Sequence, residues 1–149
     1  QAQIIELMRR LQQQFAIAIV MITHDLGDVA SMADEVLVMY AGRAMEQAPR
    51  RELYYRPHHP YTEGLFDSLP THGGRRLTPI VGTPPSLIHP PSGCPFHPRC
   101  RYAFDTCTTD EPELTPVDDN PAHVSACWLS HDSTQRERLR RAMNAAGSR

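Results

Sequence analysis

Ile17-Ala18-Ile19-Val20-Met21-Ile22-Thr23-His24-Asp25 is the stretch on which the fold reading turns. Six apolar residues, four of them β-branched, run without a break into a polar Thr-His-Asp. An uninterrupted run of this kind, without alternation, is the pattern of a strand buried on both faces, as in a parallel sheet. Ligands of open α/β sheets bind at the carboxyl ends of the strands. A histidine there, at His24, can hydrogen-bond a phosphate oxygen or a water beside it. The plainer reading keeps Thr23 or Asp25 as the cap of a following helix, with His24 at the surface.

The flanks agree with an alternating α/β pattern. Before the run, Ile4, Met8, Leu11 and Phe15 recur at helical spacing, with Arg9, Arg10 and Gln12 to Gln14 outside, which predicts an amphipathic helix. After it, Leu26, Val29, Ala30 and Ala33 share one face of a second helix. Val36 to Tyr40 reads as a strand, Ala41-Gly42 as a turn, and Arg43 to Gln47 as the returning strand. Two short helices are expected at Arg51 to Tyr55 and Tyr61 to Leu69, separated by Pro57-His58-His59-Pro60. The order fits the latter part of an α/β nucleotide-binding fold with right-handed crossovers. The helical pattern stops near Leu69-Pro70, and the next sixty residues are rich in Pro, Gly, His and Cys. We therefore expect three parts: residues 1–69, a mostly irregular Cys/Pro-rich extension over 70–130, and a basic helical tail over 131–149.

Composition narrows the class. The 149 residues carry a formal net charge of −2, which gives no reason to expect nucleic acid as a partner. The longest apolar run, Phe15 to Ile22, is too short to cross a bilayer, and the amino end does not resemble a signal peptide. The chain reads as cytosolic. It starts on Gln1 at the edge of a helix, which we read as a cut through a longer protein. Four cysteines in such a chain point to metal or redox chemistry more than to disulfides.

Those cysteines are Cys94, Cys100, Cys107 and Cys127, spaced C-x5-C-x6-C-x19-C. Structural zinc usually takes paired cysteines two to four residues apart, and these gaps are wider. Wider loops suit an iron–sulfur cubane, whose irons need ligands from several directions. Arg99 and Arg101 are candidates to offset its negative charge. Free thiols, or two disulfides in an oxidised sample, remain open on spacing alone. His58, His59, His97 and His123 are read as non-ligands: Pro57 to Tyr61 as a rigid connector with Tyr61 packed and both histidines partly exposed, and His97 as a hydrogen-bonding neighbour of the site.

Met21-Ile22-Thr23-His24-Asp25-Leu26, Ala33-Asp34 and Val38-Met39-Tyr40-Ala41-Gly42-Arg43 together resemble the end of an ABC-transporter ATPase domain, a RecA-like fold. Gln1-Ala2-Gln3-Ile4 looks like the stretch after that family's D-loop. Arg56-Pro57-His58-His59-Pro60-Tyr61-Thr62, Ile80-Val81-Gly82-Thr83-Pro84-Pro85-Ser86-Leu87 and Gly93-Cys94-Pro95-Phe96-His97-Pro98-Arg99-Cys100 resemble the C-terminal extension of its oligopeptide, dipeptide and nickel branch. The resemblance covers residues 1–129. It implies that His24 is the switch histidine at the γ-phosphate of ATP, a catalytic and nucleotide-contacting role. It implies a [4Fe-4S] cluster on the four cysteines, with zinc as the alternative. It also implies a parent protein that uses ATP and Mg²⁺, paired with a second ABC ATPase subunit. That pair would act on transmembrane permease subunits at the cytoplasmic face of the inner membrane, served indirectly by a peptide-binding protein.

The departures are as informative. No Gly-x-x-x-x-Gly-Lys-Ser/Thr, no Leu-Ser-Gly-Gly-Gln and no strand-end Asp-Glu pair occurs in these residues. Phosphoryl transfer rests on positioning and charge neutralisation by such groups. The chain by itself is thus expected to have no ATPase activity. Two rival readings are a standalone iron–sulfur or zinc-binding interaction module, and an accessory regulatory subunit that borrows another chain's phosphates.

Overall fold

The computed structural model describes residues 2–69, 79–130 and 137. The expected tail helix and the boundary at Leu69-Pro70 fall largely outside the described residues.

The apolar spacing of the first fifteen residues produces α1, Ala2–Phe15, with Glu6 and Arg10 paired one turn apart at 3.2 Å. Its apolar side chains Ile4, Leu7 and Phe15 stand exposed. The strand expected at Ile17 to Ile22 is not formed, and Val20 and Ile22 are 91% and 97% exposed. A strand exists only by pairing, and the four strands among the described residues pair solely with one another. The parallel partner that this run needs is not among them. Asp25 does cap the next helix, α2 (Leu26–Met32): its Oδ1 accepts the N–H of Gly27 at 2.7 Å and of Asp28 at 3.3 Å.

The sheet is antiparallel, not parallel, with strand order β1-β2-β4-β3. β1 (Glu35–Tyr40) and β2 (Arg43–Pro49) form the expected hairpin. Ala41 and Gly42 both have positive φ, +49° and +78°, which is what a two-residue turn matching the strand twist requires. Asp118 and Asp119 do the same between β3 (Thr115–Val117) and β4 (Asn120–Ser125). These last strands arise within the segment expected to be mostly irregular. β4 pairs with β2 at Glu46↔Ser125 and Gln47↔Val124, so residues beyond 115 complete a sheet begun at residue 35.

The β1–β2 register slips at Val38/Met39, leaving Met45 as an extra residue on β2. Met45 and Glu46 are consequently both buried, although neighbours on a regular strand face opposite ways. Met45 enters a core with Tyr40, Phe96, Cys94 and Cys107, while Val38, Ala48 and Leu53 form a second cluster. Two helices follow β2. The first, α3 (Arg50–Tyr55), is tied back to α2 by Arg50 Nη1 to the Ala30 carbonyl at 2.6 Å and by the Tyr54 hydroxyl to the Leu26 carbonyl. The second, α4 (Pro60–Asp67), opens on Pro60, whose missing N–H costs nothing in a first turn. A 3₁₀ turn at His97–Arg99 and the short α5 (Asp105–Thr109) then shape the cysteine loops. No helix among the described residues is long and apolar enough to cross a membrane.

Candidate functional site

The Thr-His-Asp loop is built by its outer two residues. Thr23 Oγ1 accepts the N–H of Asp25 at 3.0 Å, and Asp25 caps α2 as described. His24 between them is exposed to solvent. The loop thus holds a histidine outward at a helix start, and His24 is not among the residues lining the cysteine cavity.

All four cysteines line one small cavity of about 20 Å³. They arrive from three separate segments. Cys94 is fastened to Cys107 through the backbone, its N–H donating to the Cys107 carbonyl at 2.9 Å. The turn at His97–Arg99 then carries the chain to Cys100, whose N–H donates to the His97 carbonyl at 3.2 Å. Cys127 follows β4 directly and is set by the Ala126 N–H to the Met45 carbonyl at 2.8 Å, so the bulged strand positions it. Gly93 makes the entry possible. Its φ is +66°, and a Cβ there would lie 2.5 Å from the Cys107 carbonyl oxygen. Gly93→Ala is therefore expected to cost at least about 2 kcal/mol by urea unfolding, since the left-handed conformation alone costs an L-residue ~1–2 kcal/mol and the backbone contact adds to it.

No disulfide joins the four cysteines, and Cys94, Cys107 and Cys127 are buried. Burial pushes the Cys94 thiol up to about 11, with the thiols of Cys127 and Cys107 adding to the effect. Burial pushes Cys100 up to about 12, again with the other three thiols contributing. Four soft donors in an apolar wall suit a thiophilic metal by donor chemistry. Among the described residues, however, no three or more His, Cys, Asp or Glu side chains form a group that could hold one metal ion. The enclosed volume has room only for about one water-sized species.

Arg99 and Arg101, expected near the charge of such a centre, are held by other groups. Arg99 donates to the Val81 and Ile80 carbonyls, each at 3.1 Å, and to the Tyr40 hydroxyl at 3.2 Å. Arg101 reaches Asp67 at 3.0 Å and Glu63 at 3.7 Å. A wider cleft of about 590 Å³ beside α3 and α4 contains this Arg101 pair but neither His24 nor a cysteine.

His59, expected partly exposed, is 1% exposed and lines the cysteine cavity. Its Nδ1 accepts the Tyr61 N–H at 3.0 Å, capping α4. Beside it lies a buried carboxylate that the sequence reading passed over. Glu46 accepts the His58 N–H at 2.6 Å, the His59 N–H at 3.0 Å and His123 Nε2–H at 2.7 Å. Its own burial raises its pKa, but the bonds from His123 and from the His58 and His59 backbone outweigh that and leave the carboxyl below the ordinary glutamate range. The available signal was the alternation of a regular strand over Arg43 to Gln47, which puts Glu46 on one face or the other; nothing in it pairs residue 46 with residue 123.

Residues 45–107, spanning Glu46, His59 and three of the cysteines, match the model of the oligopeptide/dipeptide transporter C-terminal region. The chain matches the C-terminal part of oligopeptide and dipeptide transport ATP-binding proteins. It is 48% identical over 132 residues to the oligopeptide transport ATP-binding protein OppD of Haemophilus influenzae, covering 87% of this chain and 40% of that protein. It is 47% identical over 131 residues to the dipeptide transport ATP-binding protein DppD of Bacillus subtilis, covering 87% and 38%. It is 50% identical over 131 residues to OppD of Salmonella typhimurium, covering 86% and 38%. The chain spans about two fifths of the length of these relatives.

Proposed function

We propose that the chain is the far wall of the ATP-binding subunit of a di- or oligopeptide importer, together with that subunit's metal-binding extension. The observation that carries this reading is near-half identity, over almost nine tenths of the chain, to proteins named for ATP binding and peptide transport. Residues 1–69 are the end of the nucleotide-binding engine, 70–130 the extension and 131–149 a basic tail. The β2–β4 pairing supports a mechanical role for the extension, because it joins the two parts through one sheet. His24 acts at the γ-phosphate of ATP, with Mg²⁺ and the phosphate cradle supplied by residues outside this chain. The working protein pairs with a second ATPase subunit, acts on transmembrane permeases at the cytoplasmic face of the cell membrane, and receives peptide indirectly from a binding protein. The exposed run at Ile17 to Ile22 supports the engine reading, since it has the sequence of a sheet strand and waits for neighbours.

The test reconstitutes the longer subunit with its permeases in liposomes. His24→Ala is expected to stop peptide-dependent ATP hydrolysis while nucleotide still binds. Undiminished hydrolysis in that variant would remove His24 from the mechanism.

We read the four cysteines as holding a thiolate-ligated centre, a [4Fe-4S] cluster ahead of zinc; the wide C-x5-C-x6-C-x19-C spacing and the shared cavity support this reading. Such a centre supplies structural cross-linking or a redox-sensitive joint between the 94–107 loops and β4. Anaerobic purification followed by iron, sulfide and zinc analysis decides between the two metals.

A further inference from the structure

α2 carries the Thr-His-Asp loop at its amino end, yet none of its residues is buried. Packing therefore does little to fix its place. Polar ties from α3 do so instead. The Tyr54 hydroxyl donates to the carbonyl of Leu26, the first residue of α2. Arg50 Nη1 donates to the Ala30 carbonyl at 2.6 Å. Leu26 and Ala30 are one turn apart, on a single side of the helix. The Arg50 backbone N–H adds a third tie, to the carbonyl of Asp34 just past α2, at 2.9 Å. α3 can serve as a base because it is itself fixed. Leu53 is fully buried with Val38 and Ala48, and the Tyr54 ring packs on Phe66 of α4 with 4.6 Å between centroids. Burial holds the Tyr54 hydroxyl above the ordinary tyrosine pKa, so it keeps its proton and remains a donor.

We propose that Tyr54 and Arg50 are positioning residues for His24: by clasping α2 to α3 they hold the loop that presents this histidine to ATP. This rests on the reading that His24 acts at the γ-phosphate. The link between clasp and histidine is short. Asp25 Oδ1 accepts the N–H groups of Gly27 and Asp28, and the Asp25 N–H donates to Thr23 Oγ1 at 3.0 Å. His24 is thus bracketed by two residues bonded to each other and, through Asp25, to the first turn of α2. A shift of that helix carries the histidine with it. Both residues act through His24 and not on nucleotide. Phosphoryl transfer depends on such positioning, and a misplacement of about 1 Å can cost about 10²-fold in rate.

The experiment places Tyr54→Phe and Arg50→Met in the longer ATP-binding subunit, reconstituted with its permeases, and runs His24→Ala alongside. Phenylalanine keeps the ring on Phe66 and removes only the hydroxyl. Methionine removes the guanidinium and keeps the backbone bond to Asp34. Each variant is expected to fold like the wild type by circular dichroism and to keep its KM for ATP. Its kcat should fall by about tenfold, the signature of an interaction that counts only in the transition state. In the chain itself, hydrogen exchange should quicken at the amides of α2 and stay unchanged in β2. A raised KM with unchanged kcat would assign the two residues to nucleotide binding and overturn the proposal. So would wild-type kcat in both variants beside an inactive His24→Ala. A fully active His24→Ala overturns the reading beneath the proposal instead. Should Tyr54→Phe fail to fold, Arg50→Met carries the test, since it breaks a different tie to the same helix.

Discussion

Glu46→Ala is expected to destabilise the fold by about 3–5 kcal/mol, because a buried carboxylate that satisfies several donors is removed. The size follows from what is left behind. Glu46 is 0% exposed and serves three donors, the His58 and His59 backbone N–H groups and His123 Nε2. Truncation removes the acceptor of the buried His59 and His123 groups and of the part-buried His58 N–H, and a buried donor that loses its acceptor carries a desolvation penalty of about 1–3 kcal/mol. A domain of this size has only about 5–15 kcal/mol in total, so the variant should sit near its unfolding midpoint in modest urea. Glu46→Gln is the informative companion. It keeps an acceptor for the backbone but not the charge, and should cost less. A double-mutant cycle with His123→Ala isolates the pair term. The pH dependence has a fixed sign. The carboxyl is depressed in the folded state, so its contribution is complete above the ordinary glutamate value of about 4.3 and disappears as pH falls through the lower folded value. The wild type should lose stability steeply below about pH 4.3, and Glu46→Gln should flatten that part of the curve. An Ala variant with a wild-type urea midpoint would show that the three donors find other partners.

This carboxylate also marks where reading the sequence stops. Local chemistry was legible. The β1–β2 hairpin followed from Ala41-Gly42 between two strand-like runs, α4 from the helical pattern of Tyr61 to Leu69, and the α2 cap from the Thr23 or Asp25 choice that fell to Asp25. Each depends on residues within a few positions of one another. What failed needed a partner from far along the chain. Ile17 to Ile22 has every property of an interior strand, yet strand character belongs to a pair, and its partners are not among the described residues. Glu46 and His123 are 77 positions apart, and no periodicity links them. The bulge at Met45 is the step between these levels. One extra residue turns both Met45 and Glu46 inward, toward the cysteine core and the His58-His59 backbone respectively. A regular β2 would have exposed one of them and left His59 as the half-exposed connector residue that its sequence suggests. The four cysteines were found by composition alone; that they enclose one cavity depends on β4 returning to β2, which the proline-rich sequence between residues 70 and 120 conceals.

Replacing Cys107 by serine is expected to reduce metal content from a full centre per chain to a trace, with the fold of the metal-free protein changed by less than about 1 kcal/mol, as for a small near-isosteric change. The two halves of this result answer different questions. Cys107 is buried, and its carbonyl accepts the Cys94 N–H, a backbone bond that serine keeps. The loop geometry, and with it the approach of Cys94, should survive. A serine hydroxyl is a hard donor that stays protonated near neutral pH, so only the thiolate is lost. Metal binding to such sites is itself folding free energy, about 10–16 kcal/mol for structural zinc in small domains, which is why one missing ligand empties the site. If the proposed centre forms, the wild type should gain a large thermal stabilisation on loading, and the variant none. If the cysteines are instead inert packing residues, the outcome reverses: neither protein takes up metal, and Cys107→Ser differs from wild type only by the small cost of a buried hydroxyl. Burial already favours the neutral thiol at Cys94 and Cys100, raising them to about 11 and 12, so a cavity that nonetheless collects four cysteines opposes charge unless a cation arrives with it. On the proposed reading a bound metal would supply that cation, with Cys94, Cys100, Cys107 and Cys127 as its thiolate ligands, and would join the 94–107 loops to the segment that carries Cys127.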